Sequence, residues 1–304
     1  MTLSRRSSVA ALLLALAASP ALAQSERPLR VVASFSILAD IVREVGGDAV
    51  DVVALVGPDA DAHVFQPSPA DARHLARADL VVVNGLGFEG WIDRLVRASG
   101  YRGKVVIASQ GVKLRKDGHG HGGKPGHGSD PHAWQDLANA ERYVANVRDA
   151  LGGLRPASAG VFAQRAARYT EQIRALDREV RAQLAAVPRP KRRVITSHDA
   201  FGYFGAAYGV DFLSPQGVST DGEASAADVA KLIDQIRRQD VRAVFVENIT
   251  DPRLVERIAK EGGAVLGGRL YSDALSAPGT EADTYLKLFA HNAKALASGL
   301  AGTR

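Results

Sequence analysis

Short apolar runs recur along the chain, each bounded by Gly, Pro, Asp or Asn and each followed by residues whose apolar positions step by three and four. Residues 29–33, 50–55, 80–84 and 104–107 are such runs. Continuous β-branched segments of this length read as strands buried on both faces of a parallel sheet. Between them Ser68 caps a helix with Pro69 in its first turn, and residues 88–99 carry helical spacing. From 156 to 187 the pattern changes: Phe162, Tyr169, Ile173, Leu176, Val180 and Leu184 return at steps of three, four and seven. That period predicts one helix of roughly 45 Å, stopped by Pro188-Arg189-Pro190. Strand-like runs then resume at 193–197, 210–213, 243–247 and 264–267, with helices over 225–238 and 251–260 and a last one over 281–298. The expected fold is α/β: two lobes, each a four-stranded parallel sheet with flanking helices, bridged by one long helix. The lobes fall at 24–154 and 189–304, with the linker helix in 155–188.

The amino end stands outside this pattern. Arg5 and Arg6 precede an apolar stretch over 9–18 and a small-x-small site at Ala21-Leu22-Ala23, so residues 1–23 read as a cleaved signal peptide. Ser4-Arg5-Arg6 resembles a twin-arginine signal, but Ser7 and Ser8 stand where apolar residues normally follow, which favours the general secretory route. A chain of 304 residues, 46% apolar, can bury cores in two domains, and no later stretch is long enough to span a bilayer. The formal charge of +5 falls to +3 once Arg5 and Arg6 leave, too little to suggest nucleic acid as a partner. The chain has no cysteine. Disulfides, thiolate metal ligands and an acylated cysteine are thereby excluded, and the expectation is a periplasmic, unanchored monomer whose metal ligands are His, Asp or Glu.

Four of the eight histidines lie in DGHGHGGKPGHGSDPHAW, residues 117–134. A Gly- and His-rich tract gathers cations loosely, and a specific site needs ligands fixed by regular elements on either side. In open α/β sheets ligands bind beyond the carboxyl ends of strands, and four residues satisfy that test. His63 follows the second strand; its alternative is a solvent-facing loop histidine. His132 leaves the tract just before a helical pattern, His198 directly follows strand 193–197 where it could equally be a turn residue, and Asp273 follows the last strand where capping is the commoner role. Three imidazoles and one carboxylate form a four-coordinate set suited to Zn2+, with no HExxH helix and no evident open position for water.

Other histidines do less. His74 sits among charged residues of a helix and reads as a surface residue; His291 on the last helix reads as structural. His119, His121 and His127, in the His-rich loop 117–131, have no scaffold and are candidates for accessory capture only. Glu247 and Asn248 end a strand and could support the ligands from behind. Residues 85–90, GLGFEG, match GxGxxG after a strand, but no acidic residue follows at the spacing a dinucleotide ribose requires, so a tight glycine turn is the better reading.

The segments GPDADAHVFQPSP, NGLGFEGW, DPHAW, SHDAFGYF, STDGEASAADVAKLI, VFVENITDPRL and LYSDALS together resemble the substrate-binding proteins of zinc/manganese ABC transporters, in the order found in that family and across the whole mature chain. The resemblance implies two α/β lobes on a long helix, with His63, His132, His198 and Asp273 as metal ligands. It also implies delivery of the metal to an ABC permease, with a zinc metallochaperone as a further partner. Manganese-preferring members of the family typically carry Glu where this chain has His198, so Zn2+ is the expected cargo and Mn2+ the alternative. Two other classes compete. An exported zinc hydrolase would need an open coordination position and a general base, for which Glu247 is the one candidate; a surface adhesin is suggested only by relatives of the family.

Overall fold

Each lobe is a parallel sheet of four strands with the same order. In the computed structural model, which describes residues 27–116, 129–239, 241 and 243–302, the first sheet runs β2-β1-β3-β4 and the second β6-β5-β7-β8. The strands are β1 Leu29–Phe35, β2 Val50–Val56, β3 Leu80–Val83, β4 Lys104–Ile107, β5 Arg193–Ile195, β6 Asp211–Leu213, β7 Ala243–Glu247 and β8 Val265–Leu270. The helices are α1 Ser36–Gly46, α2 Pro69–Ala76, α3 Ile92–Ser99, α4 Leu137–Leu154, α5 Ala159–Ala185, α6 Gly202–Tyr208, α7 Ala226–Gln239, α8 Arg253–Gly262 and α9 Tyr285–Ala301. The signal segment and the tract histidines His119, His121 and His127 lie outside the described residues. Among the described residues no helix is long and apolar enough to cross a membrane.

The local signals operate as their chemistry requires. Ser68 accepts from the Asp71 N–H while the Asp71 carboxylate accepts from the Ser68 N–H, a capping box that starts α2 with Pro69 at its first position. α5 buries Phe162, Ala166, Tyr169, Ile173, Leu176, Val180 and Leu184 along one face. At 27 residues it spans about 40 Å and links the lobes. One expectation is corrected: β2 and β4 are not buried on both faces. They are the two outer strands of the first sheet: Asp51 is exposed and Val50, Val52, Val53 and Ala54 are only half-buried in β2, and Val105 and Ile107 of β4 are 41% and 46% exposed. A hydrophobic run records strand propensity, not whether a neighbour covers both faces.

The larger of two core clusters is shared by both lobes. One cluster runs from the first sheet through α1, α4 and α5 to Phe201 and Phe204 of the second lobe and Phe289 and Leu296 of α9. A smaller cluster, including Ile195, Ile236, Val244 and Ile258, fills the space between the second sheet and helices α7 and α8. Because close-packed interiors resist deformation, the shared core ties the two sheets into a fixed relation, with their carboxyl ends facing one cleft.

Candidate metal centre

The loops that leave the carboxyl ends of β2, β4, β5 and β8 meet in the cleft and bring together His63, His132, His198 and Asp273, one ligand atom from each lying within 4.8 Å of every other. Asp273 is the centre of the group. Its Oδ2 is 3.1 Å from His63 Nε2 and 3.2 Å from His198 Nε2, and its Oδ1 is 3.6 Å from His132 Nε2. A tetrahedral ion with bonds of about 2.0 Å separates its ligands by about 3.3 Å, so these contacts have the span such an ion needs. The imidazole planes are inclined to one another by 59–84°, which turns the nitrogens toward a common point instead of stacking the rings.

Burial makes the arrangement costly unless something else occupies it. The side chains of His132, His198 and Asp273 are fully buried and that of His63 keeps 4% exposure. His132 Nε2, His198 Nε2 and Asp273 Oδ1 are buried with no hydrogen-bond partner in the protein. Such groups demand a partner. Phe35, Phe88 and Trp134 form an aromatic wall behind the imidazoles, with His63 edge-on to Phe88 at 4.8 Å and His132 against Trp134 at 5.2 Å.

Each imidazole is aimed by a specific device. Asp61 Oδ1 accepts from the His63 N–H at 2.8 Å and Asp130 Oδ1 from the His132 N–H at 2.9 Å, so the same Asp-x-His turn is used twice. Asp130 Oδ1 also lies 2.9 Å from His132 Nδ1. At His198, Glu247 Oε1 accepts from the backbone N–H at 2.9 Å, and Oε2 sits 2.6 Å from Nδ1, off the line of a good hydrogen bond. A carboxylate at Nδ1 keeps that nitrogen protonated and leaves the Nε2 lone pair for a cation. Trp91 Nε1 donates to the Ala62 carbonyl at 2.8 Å, fixing the His63 loop, and Asn84 Nδ2 donates to the Pro131 carbonyl at 2.9 Å, fixing the His132 loop.

Electrostatics reflect the crowding of charge. For His132 burial works against the charged ring, but Asp273 and Asp130 outweigh it and lift the pKa from 6.5 to about 9. His198 is raised well above its usual value against the same burial, by Glu247 and Asp273. Asp273, although buried, is held well below the usual carboxylate range by His132 and His198. Protons thus satisfy the group when no cation does, and a cation must displace them.

The remaining candidates separate clearly. Glu247 touches His198, whereas Asn248 bridges neighbouring loops, donating from Nδ2 to Asp59 Oδ1 at 3.0 Å and to the Ala274 carbonyl at 3.2 Å. His74 is exposed in the last turn of α2, and His291 Nε2 pairs with the Arg269 carbonyl at 3.0 Å. Residues 85–90 form a tight turn with Gly85, Leu86 and Gly87 all at positive φ. The buried Glu89 carboxylate accepts the Asn84 and Gly85 N–H groups at 2.6 and 3.1 Å, so the turn offers those amides to its own side chain and not to a phosphate. Among the described residues no other group of three or more His, Asp or Glu converges as the four ligands do. Sequence reasoning missed Asp61 and Asp130, although both stand two residues before a selected histidine. It also missed Asn84, Glu89 and Trp91, whose roles depend on contacts across the fold.

Residues 31–299 match the family described as ZnuA, zinc-uptake complex component A, periplasmic. The manganese-binding lipoprotein MntA of Bacillus subtilis is 32% identical over 281 residues, 91% of each chain. The manganese ABC transporter substrate-binding lipoprotein PsaA of Streptococcus pneumoniae is 30% identical, covering 91% of this chain and 90% of the relative. Among solved structures, the periplasmic zinc-binding protein TroA of Treponema pallidum superposes with a TM-score of 0.83 at 31% identity, over 90% of this chain and 99% of that one. These relatives correct one expectation. MntA and PsaA are lipoproteins, which runs against an unanchored protein; the cysteine count was too narrow a ground for excluding a membrane anchor. A place outside the cytoplasm is consistent with all of them.

Proposed function

The chain belongs to the ZnuA family, the metal-binding receptors of ABC transporters, and from that membership we propose that His63, His132, His198 and Asp273 capture one Zn2+ in the interlobe cleft. It is a substrate-binding protein and not an enzyme, and its role implies a membrane permease as partner. The observation that carries the ligand assignment is the set of buried imidazole and carboxylate atoms without protein partners, in a group of four whose ligand atoms lie within 4.8 Å of one another. Three nitrogens to one carboxylate suit Zn2+ better than Mn2+, which favours oxygen ligands and a higher coordination number.

Manganese is the second reading, supported by the names of MntA and PsaA. Competitive titration of the metal-free protein with Zn2+ and Mn2+, followed by intact mass, decides between them. One zinc per chain that manganese does not displace supports the first reading; the reverse order overturns it. His198→Glu adds a carboxylate and should shift the preference toward manganese. A hydrolytic reading loses its candidate base, because both Glu247 oxygens face His198.

The reading extends to the layout of the chain. Residues 24–154 and 189–304 form the two ligand-bearing lobes on a linker over 155–188, and residues 1–23 direct export. The receptor works as a monomer and accepts zinc from solution or from a metallochaperone. A core continuous between the lobes disfavours wide hinge opening, so release proceeds by local movement of ligand-bearing segments when the permease docks.

A further inference from the structure

By its place in the chain Asp273 belongs to the second lobe, since it follows β8. Its neighbours are also bonded to the first lobe. The carbonyl of Ser272, the residue immediately before it, accepts from Trp134 Nε1 at 3.0 Å and from Gln135 Nε2 at 2.7 Å. Two residues beyond it, the Leu275 N–H donates to Ser36 Oγ at 3.0 Å and its carbonyl accepts from the Asp59 N–H at 2.9 Å. Trp134, Gln135, Ser36 and Asp59 all belong to the first lobe. The second lobe holds it as well: Asn248 Nδ2 donates to the Ala274 carbonyl at 3.2 Å, Asn292 accepts the Tyr271 N–H at 2.9 Å and donates to the Tyr271 carbonyl at 2.7 Å, and the Ser276 N–H donates to the Ala282 carbonyl at 3.0 Å.

We infer that Gln135 and Trp134 are positioning residues of the cation site: by holding the Ser272 carbonyl they fasten Asp273 to the first lobe. Asp273 is thereby tied to both lobes, and its place beside His132 is set by direct bonds across the cleft. The inference rests on the ligand assignment proposed above. Both donors lie within three residues of His132, on the same 3-10 turn that follows it, so one short segment sets two ligands at once. Gln135 is fully buried and its other amide atom, Oε1, has no hydrogen-bond partner in the protein, so the bond to Ser272 is the one hydrogen bond its side chain makes. A side chain of that cost, placed where an apolar residue would fill the same space, points to a positional role.

The test compares wild type, Gln135→Met and Ile173→Val, the last removing a methyl group from the buried face of α5, a helix that carries none of the ligands. Two quantities are read on protein loaded with one metal: the rate of Zn2+ transfer to a chelator, and the visible spectrum of the Co2+ form, which reports coordination number. Gln135→Met should release zinc about tenfold faster, the effect of one buried hydrogen bond, and should show a weaker Co2+ spectrum as Asp273 loosens and water enters. Ile173→Val should match wild type in both. A wild-type rate and spectrum in Gln135→Met overturn the inference, as does an equal acceleration in Ile173→Val, which would reduce the effect to general loosening. If Gln135→Met does not fold, Trp134→Phe removes the other donor and is judged by the same outcomes. Wild type that takes up no stoichiometric metal, or Asp273→Ala that holds it unchanged, sinks the ligand assignment instead.

Discussion

Replacing Glu247 by Gln and Asp130 by Asn removes one charge from each of two buried imidazole partners, yet the structure predicts very different results. Glu247 divides its oxygens, Oε1 taking the His198 N–H and Oε2 facing Nδ1. In Glu247→Gln the amide oxygen is claimed by the backbone N–H, which leaves the NH2 group against Nδ1. The ring then keeps its lone pair at Nδ1 and its proton at Nε2, the nitrogen a cation needs. Loss of such a partner typically weakens metal binding about 10- to 100-fold, roughly 1.4 to 2.7 kcal/mol. Asp130 instead accepts both the His132 N–H and Nδ1 through the single atom Oδ1. Asn offers the same oxygen in the same place, so Asp130→Asn should change affinity by less than about threefold, provided its amide oxygen takes the Oδ1 position. The assay is zinc titration against a fluorescent chelator at fixed neutral pH, with circular dichroism to establish folding. Equal losses in the two variants, or an unaffected Glu247→Gln, would refute the tautomer argument.

Other outcomes follow from single features. Burial lifts the Asp40 carboxyl from 3.8 to about 6, against the Tyr285 N–H that it accepts at 2.8 Å. Because the folded value exceeds the unfolded one, the stability from this group is complete below about pH 4 and is lost as pH rises to about 6, up to roughly 3 kcal/mol. Asp40→Asn keeps the acceptor, so in urea melts of metal-free protein it should match wild type near pH 4 and exceed it at neutrality; parallel curves would exclude this. Deleting residues 118–128 should leave equilibrium zinc affinity within a few-fold of wild type while slowing capture in stopped-flow mixing, whereas His132→Ala should lower affinity by orders of magnitude. Equal affinity losses in those two proteins would mean that the tract belongs to the main site.

Much of the architecture was legible because it is written in local patterns. The α5 stripe from Phe162 to Leu184 and the Ser68-Pro69 helix start are properties of neighbouring residues, and both appear as read. The four converging side chains could be selected from their positions after strands, since parallel sheets of this kind place every such loop at one end. Asp61 and Asp130 were within reach too, as a carboxylate two residues ahead of a histidine is a local turn device. What sequence does not record is pairing between distant segments. The separation of 137 positions from Gln135 to Ser272 hides their bond, and nothing in Lys104-Val105-Val106-Ile107 marks β4 as an outer strand. Lipid attachment in relatives lay equally beyond a count of this chain's own residues.

The larger core cluster, which runs through both lobes, also governs the order of folding. α9, the last helix, packs on α5 and α1, and its first residue, Tyr285, bonds to Asp40 and to the Trp134 carbonyl. The amino-terminal lobe is therefore incomplete until the final helix has been synthesised. Contacts so distant along the chain form slowly. A nascent protein built this way stays loose until its last residues appear, and two halves cut at the linker should fail to fold separately yet assemble when mixed.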